Sequence, residues 1–445
     1  MLARNFATTT ASTIIGMALG FITSIVLART LGSELRGVYA LAILIPTTIY
    51  AFGTFGISTS HIVYAAKMPE KRGAIAFQSL AFPAVIGLLT LALYAYLLIA
   101  QPSWFQRFQV VGAFNLLLAS FLVFINLAMI CLRSGILGAN RINVINTGTV
   151  LLPLSQIVFI LIFVAALKLG VMGGIISQLG CFGVLLLYML YATASEVPVK
   201  LWRPDFNFFK KTFALGIKVH LNNAAWFVVH STDQYLIAYL LPNSNKALGN
   251  YTVAMQFSLA LWLLPQSLQT AFLPHLSVVK ECDRAVLAAR TSRILFIALL
   301  LVTVVSGIGA PLIPIIFGAD FKDAIWPFIL LLPGIFFFGC TRPMDSYLTH
   351  SEKPLYGAAN AWIGAVANVL LNLYFIPRMG IAGAALASTI SITIMAIITV
   401  GCFAFETKIP CRQLILKRSD FIESSNITIS LLSKFSRRFV YKGLR

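Results

Sequence analysis

Charge is scarce in this sequence, and negative charge is scarcest. Only 11% of the 445 residues are Asp, Glu, Lys or Arg, where an ordinary soluble domain carries about 25%. That shortage excludes a water-soluble globular protein. Long polar stretches are also missing. The apolar runs are joined by short connections, which leaves no external domain to house a catalytic apparatus. No glycine-rich loop of the Walker type closes on a Lys and a Ser or Thr, so ATP hydrolysis by this chain is excluded. Cysteine is sparse and unpatterned. Cys131, Cys181, Cys282, Cys340, Cys402 and Cys411 show no paired spacing. Neither a disulfide nor a Cys/His metal site is expected, and no cofactor is called for. The histidines, His61, His220, His230, His275 and His350, are scattered.

What the sequence has is long apolar runs. Hydrophobic residues make up 59%, and the mean hydropathy is +0.89. The runs are continuous over about 20 residues or more, the length of a bilayer-crossing helix. A lipid-facing barrel would instead alternate apolar and polar residues in short segments. Twelve spans are predicted, at approximately 7–28, 38–64, 75–100, 111–136, 143–167, 171–193, 210–241, 250–277, 294–317, 324–349, 356–376 and 380–405. The run from Phe6 to Ala28 is too long for a signal core and is expected to be a span.

The net charge is +19. In a soluble protein this would suggest nucleic acid, but here no nucleic-acid partner is expected, because the charge follows topology. With the N-terminus in the cytoplasm, most Lys and Arg outside the spans fall on the cytoplasmic side. Only Arg29, Arg36, Arg107, Lys168, Lys246, Lys322 and Arg378 fall opposite. The positive-inside rule therefore predicts that both termini are cytoplasmic. Lys218 and Arg342 are the two cations left inside spans.

An internal repeat is visible. Leu169-Gly170-Val171-Met172-Gly173-Gly174 aligns with Met379-Gly380-Ile381-Ala382-Gly383-Ala384, and Gly37-Val38-Tyr39 aligns with Gly249-Asn250-Tyr251, at nearly one offset. Six spans per repeat make the halves parallel, with a substrate site expected between them. The expected fold is an all-α polytopic membrane protein with two six-helix lobes around a central cavity. The lobes are 1–200 and 201–405, followed by a basic cytoplasmic tail, 406–445. Pro198, Pro204 and nearby charges mark the linker between lobes. In the tail, Leu431, Leu432, Phe435 and Phe439 share one helical face. Lys434, Arg437 and Arg438 share the other, a pattern for an interfacial helix or a disordered basic tail.

The polar content of two spans is the main functional signal. Lys218, Asn222, Trp226, His230 and Asp233 follow one another at steps of four and three, within about 120° of a helix. Ionisable groups at membrane depth usually face a bundle interior or a water-filled path. A snorkelling cation would account for Lys218 but less well for His230 and Asp233. A second stripe holds Arg342, Asp345, Ser346, Thr349 and Lys353, where Arg342 and Asp345 can also simply pair. Gln266 and Gln269 can face the same lumen or hydrogen-bond between helices. His61 reads as a structural or interfacial residue. The small residues of Gly16–Gly20 and Gly53–Gly56 read as close helix packing. Prolines such as Pro46, Pro83, Pro153, Pro333 and Pro343 interrupt spans and mark either bending points or static kinks.

Several stretches carry a resemblance. Ala28-Arg29-Thr30-Leu31-Gly32, Arg36-Gly37-Val38-Tyr39-Ala40, Phe52-Gly53-Thr54-Phe55-Gly56-Ile57-Ser58, Thr232-Asp233-Gln234-Tyr235 and Gly249-Asn250-Tyr251-Thr252-Val253-Ala254 resemble bacterial polysaccharide flippases. These are the O-antigen, Wzx-type transporters of the multidrug/oligosaccharidyl-lipid/polysaccharide flippase superfamily. The resemblance implies a fold like that of the multidrug (MATE) carriers, alternating access, and location in the bacterial inner membrane. It implies no enzymatic activity and a cargo of polyprenyl-diphosphate-linked oligosaccharide moved to the outer leaflet. Membrane lipids and other polysaccharide-assembly proteins are the expected partners. A diphosphate crossing a low-dielectric slab needs cations, which Lys218 and Arg342 would supply. Asn222, Trp226, His230 and Gln266 would contact the cargo. Asp233 and Asp345 would couple to an ion or pair with neighbouring cations. A drug/cation antiporter of the same superfamily is the alternative. A major facilitator carrier lacks its Gly-Asp-Arg pattern here, and a polymerase or ligase would need a large external loop.

Overall fold

The computed structural model describes residues 2–262, 265–266, 279, 281–350 and 354–409. The expected tail helix, together with Gln269, His275, Lys353 and Cys411, lies outside them. Among the described residues there is no strand, and helices satisfy the backbone groups of the apolar runs within each segment.

Among the described residues, twelve α-helices with defined bounds follow one another: α1 (Leu2–Gly53), α2 (Ile57–Lys67), α3 (Arg72–Ala100), α4 (Ala113–Gly138), α5 (Ile142–Ile160), α6 (Gly170–Glu196), α7 (Phe206–Leu240), α8 (Ser244–Leu261), α9 (Glu281–Gly309), α10 (Ile313–Phe317), α11 (Ile325–His350) and α12 (Pro354–Thr407). Among the described residues, eight stretches are long and apolar enough to cross a membrane, and two of them run to 46 and 52 residues. Each of these two is twice the length of a span and is broken at a glycine. In α1 the break is Gly32 (φ 71, ψ 175), and in α12 it is Gly380 (φ 60, ψ −139). Glycine takes such φ values without a Cβ clash. α7 is not among the eight, because its many polar residues, among them Lys218, His220, Asn222, Asn223, His230, Asp233 and Gln234, lower its apolar character.

The span expected at 38–64 is interrupted. α1 ends at Gly53 and α2 starts at Ile57, with Phe55 (φ 43) and Gly56 (φ 68) left-handed between them. The cause is a close crossing: a Cβ on Gly56 would overlap the Gly216 carbonyl of α7. Phe52, Phe55, Phe82, Phe213, His220 and Phe227 gather around this crossing with ring centroids 5.5–6.4 Å apart. The small-residue reading of Gly16 also holds, since its Cα rests on the Thr149 carbonyl of α5.

The repeat is present in three dimensions. Gly170 and Gly380 both have left-handed φ, 56° and 60°. Gly173 and Gly383 each rest on a carbonyl of the preceding helical run, Phe163 and Phe375. The other pair is reciprocal. A Cβ on Gly37 would overlap the Asn245 carbonyl, and one on Gly249 would overlap the Ser33 carbonyl. Each half of this crossing is the image of the other.

The chain forms two compact units. The first is Met1–Gln256 with Pro311–Pro327 and Asn372–Ala384; the second is Phe257–Ala310 with Phe328–Leu371 and Ala385–Arg445. In the first unit, two buried titratable groups, His61 and Arg36, have local hydrogen-bond partners. His61 is fully buried among Gln78 Oε1 (3.3 Å), Ser79 Oγ (3.3 Å) and the Cys131 carbonyl (3.4 Å), a structural role. Arg36, expected in an external connection, is instead buried. It donates to the Ser24 carbonyl and hydroxyl, both at 2.8 Å, and lies over the Phe317 and Phe321 rings. It sits four residues beyond the α1 break, where the chain turns back into the helix. At the other end of this unit, Arg72 pairs with Glu196 at 2.5 Å and Lys71 with Asp205 at 2.9 Å, which ties the α2–α3 connection to the segment before α7.

Candidate functional site

Helix α7 begins with a local signal. Asp205 precedes it in extended conformation and accepts from the Phe208 amide at 2.9 Å, satisfying one of the first-turn donors. The helix is continuous over 35 residues, so the spacing read from the sequence places the polar stripe on one side. Exposure falls along it. Lys218 is exposed, Asn222, Trp226 and His230 are half-buried, and Asp233 is buried at 1%.

Two associations form along the stripe. The Trp226 and His230 rings lie 5.4 Å apart, and His230 Nδ1 is 3.0 Å from the Trp226 carbonyl. The Asp233 carboxyl accepts from the Gln234 amide at 2.8 Å and from the Tyr251 hydroxyl of α8. Tyr251 is fully buried. Lys218 and Asp233 are too far apart to pair: fifteen residues of helix rise about 22 Å. A charge pair between them is therefore ruled out. Tyr251 was not among the expected site residues, although it closes the second repeat motif, Gly249-Asn250-Tyr251. Its equivalent in the first motif, Tyr39, is also buried and hydrogen-bonds Gln178.

The second unit holds Arg342, Asp345 and Gln266. Arg342 Nη1 donates to Asp345 Oδ2 at 3.3 Å, the i,i+3 pair that the spacing allows. Its guanidinium also lies over two rings, 5.3 Å from the Trp262 centroid and 5.1 Å from that of Phe338. Those rings are stacked on each other at 5.2 Å with 8° between their planes. Phe338 is four residues before Arg342 on α11, so one helical turn sets the ring beneath the cation. Arg342 Nε is buried and has no hydrogen-bond partner. A buried, unsatisfied guanidinium donor is costly, and an anion offers it the acceptor it lacks. Gln266 is exposed, and its backbone N–H donates to the Trp262 carbonyl at 3.2 Å. Nothing in the sequence singled out Trp262 or Phe338, since aromatic residues are common in membrane spans.

Among the described residues, no group of three or more His, Cys, Asp or Glu could hold a metal ion.

Residues 2–280, more than half of the chain, match the model of a family described as polysaccharide biosynthesis protein. No curated protein matches the sequence. Among solved structures, the lipid II flippase MurJ in an inward closed conformation superposes with a TM-score of 0.73 at 16% identity, covering 98% of this chain and 99% of that one. An inward-facing multidrug resistance MATE transporter of the MOP superfamily gives 0.73 at 14% identity, covering 91% and 98%. A mutant MATE transporter of Vibrio cholerae gives 0.62 at 13%, covering 92% and 97%. At these identities the likeness is one of fold.

Proposed function

The chain belongs to the polysaccharide biosynthesis protein family, and on that premise we propose that it carries a polyprenyl-diphosphate-linked oligosaccharide across the bacterial inner membrane. It moves the cargo from the cytoplasmic to the outer leaflet and makes or breaks no covalent bond. The observation that carries this reading is Arg342. A membrane-embedded guanidinium with a buried donor to spare, stacked on Trp262 and Phe338, suits a diphosphate better than a cation. The ring pair holds the guanidinium by cation–π attraction while leaving its edge for phosphate oxygens. Lys218, on a flexible stem, serves as a second and mobile phosphate contact. Asn222, Trp226, His230 and Gln266 meet the saccharide through amide hydrogen bonds and ring stacking. Asp345 holds Arg342 between cargoes. Asp233, buried against Tyr251, is the group for ion coupling.

The two six-span lobes, 1–200 and 201–405, alternate access around the cargo, with both termini in the cytoplasm. The lipid II flippase MurJ is similar to this chain in fold, which supports a lipid-borne cargo.

The test uses a strain lacking the gene, complemented by the wild-type chain or by Arg342→Ala, with lipid-linked saccharide assayed by leaflet. The reading predicts accumulation on the cytoplasmic leaflet in the deletion strain. It predicts at least about tenfold less outer-leaflet saccharide with Arg342→Ala, the worth of one charge-assisted contact. Intact export with new sensitivity to cationic drugs would instead assign a drug/cation antiporter. Surface-exposed but unpolymerised units would assign a polymerase or ligase.

A further inference from the structure

The second unit contains a groove of about 600 Å³ that the cargo site does not use. Its walls come from α9 (Ser292, Arg293, Phe296), α11 (Phe337, Cys340, Thr341, Met344) and the second half of α12 (Thr393, Ala396, Ile397, Val400). The sequence explains the gap. On α12 the wall residues follow at steps of three, one and three, and Thr393 and Ala396 are too short to reach α11 there. Two core clusters adjoin the groove and share lining residues with it. One is Ala288, Ala289, Met344, Leu348 and Phe403, with Val400 packed against it. The other is Leu295, Leu299 and Phe336, with Phe296 and Cys340 packed against it. Phe337 and Ile397 remain 45% and 66% exposed at its rim. An apolar groove open at its rim in a membrane protein takes up hydrocarbon rather than water.

Two polar features define what the hydrocarbon must carry. Arg293 lines the groove. Beside it the Ser292 hydroxyl is buried, 5% exposed, with no hydrogen-bond partner. A donor hydroxyl left unsatisfied next to a cation suits one oxygen-rich anion. The chemistry is that of a chain with a phosphate at its head.

The cargo is the less suitable source. On α11 the groove residues Phe337, Cys340, Thr341 and Met344 share one stripe. At about 100° per residue, Arg342 falls about 150° around the helix from the centre of that stripe. A diphosphate on Arg342 would leave its tail on the wrong side of α11. Arg293 also lies on the N-terminal part of α9, where the charge bias puts the cytoplasmic leaflet, which is anionic.

We propose that this groove is a binding site for one anionic phospholipid of the cytoplasmic leaflet, with an acyl chain between α9, α11 and α12 and its phosphate on Arg293 and Ser292. The lipid fills the space that Thr393 and Ala396 leave and satisfies the Ser292 hydroxyl. Because it does not depend on the identity of the cargo, it stands or falls apart from the flippase reading.

The test is native mass spectrometry of the full purified chain, titrated with phosphatidylglycerol, phosphatidylcholine of the same acyl chains, and a polyprenyl phosphate. Phosphatidylglycerol should bind about fivefold tighter than phosphatidylcholine, the worth of one basic residue against an anionic lipid. Arg293→Gln should erase that preference. Ala396→Trp should expel the lipid, while thermal unfolding of the delipidated protein confirms that the variant is folded. Equal binding of the two phospholipids would overturn the site. So would a preference that survives both variants. Tighter binding of polyprenyl phosphate, lost on Ala396→Trp, would give the groove to the cargo instead.

Discussion

At the scale of the residue, Arg342 separates charge from shape. Lysine keeps the charge but cannot lie flat on Trp262 and Phe338 or present a fork to a diphosphate. Arg342→Lys should therefore retain partial transport where Arg342→Ala does not. Trp262→Leu should lower transport with the cation intact, both read in the leaflet assay. Asp233 poses a different question, because stability and coupling meet at one carboxyl. Tyr251→Phe removes a hydroxyl that this buried group accepts from and should cost about 1–3 kcal/mol in unfolding experiments in detergent. If Asp233 couples transport to an ion, Asp233→Asn should stop transport while costing less stability than Tyr251→Phe. A third residue reports on pH. The hydrogen bond from Lys71, and after it the Phe208 amide, hold the Asp205 carboxyl below its usual value. A depressed carboxylate contributes stability above its unfolded value, near about pH 4, and loses it as pH falls through the lower folded value. Hydrogen-exchange protection of the Phe208 amide, corrected for intrinsic rate, should be flat from neutral pH down to about 5. It should then fall, and Asp205→Ala should abolish it. Polar residues in apolar runs were the legible part of the site, because such residues are rare enough to stand out. Trp262, Phe338 and Tyr251 were not legible, because an aromatic ring in a span is ordinary until a distance places a cation or a carboxyl beside it.

At the scale of the element, glycine determines where helices cross and break. The Gly37 and Gly249 contacts are backbone against backbone, with no flexible side chain to give way. Gly37→Ala and Gly249→Ala should each cost about 1–3 kcal/mol in thermal unfolding, the range for overpacking a tight contact. The double variant should cost less than the sum, because the displacement that admits one methyl also admits the other. The expected spans that lie within the described residues map onto helical runs, but their ends do not, and the one expected at 250–277 lies partly outside the described residues. Hydropathy continues through Gly53–Gly56, and only backbone conformation reveals that the helix stops there. Arg36 was misplaced for the opposite reason, because the polar stretch around Gly32 reads as a longer connection than the single break it is. A basic residue just after a span reads as loop, whereas the chain has already re-entered the helix and buried it.

At the scale of the whole molecule, the class was legible from little more than the shortage of charge, because a bilayer admits few architectures. The repeat was legible from short glycine motifs, because its glycines answer to backbone geometry that both halves share. Its meaning lies in the reciprocity of one contact: Gly37 meets Asn245 as Gly249 meets Ser33. Two surfaces that recognise each other by the same residues in exchanged roles are what an isologous dimer presents. The crossing has the form of an ancestral homodimer interface preserved inside a fused gene. A chain cut between α6 and α7 should accordingly find its other piece when the two are co-expressed in one membrane, and a bulky residue at position 37 of one fragment should keep them apart.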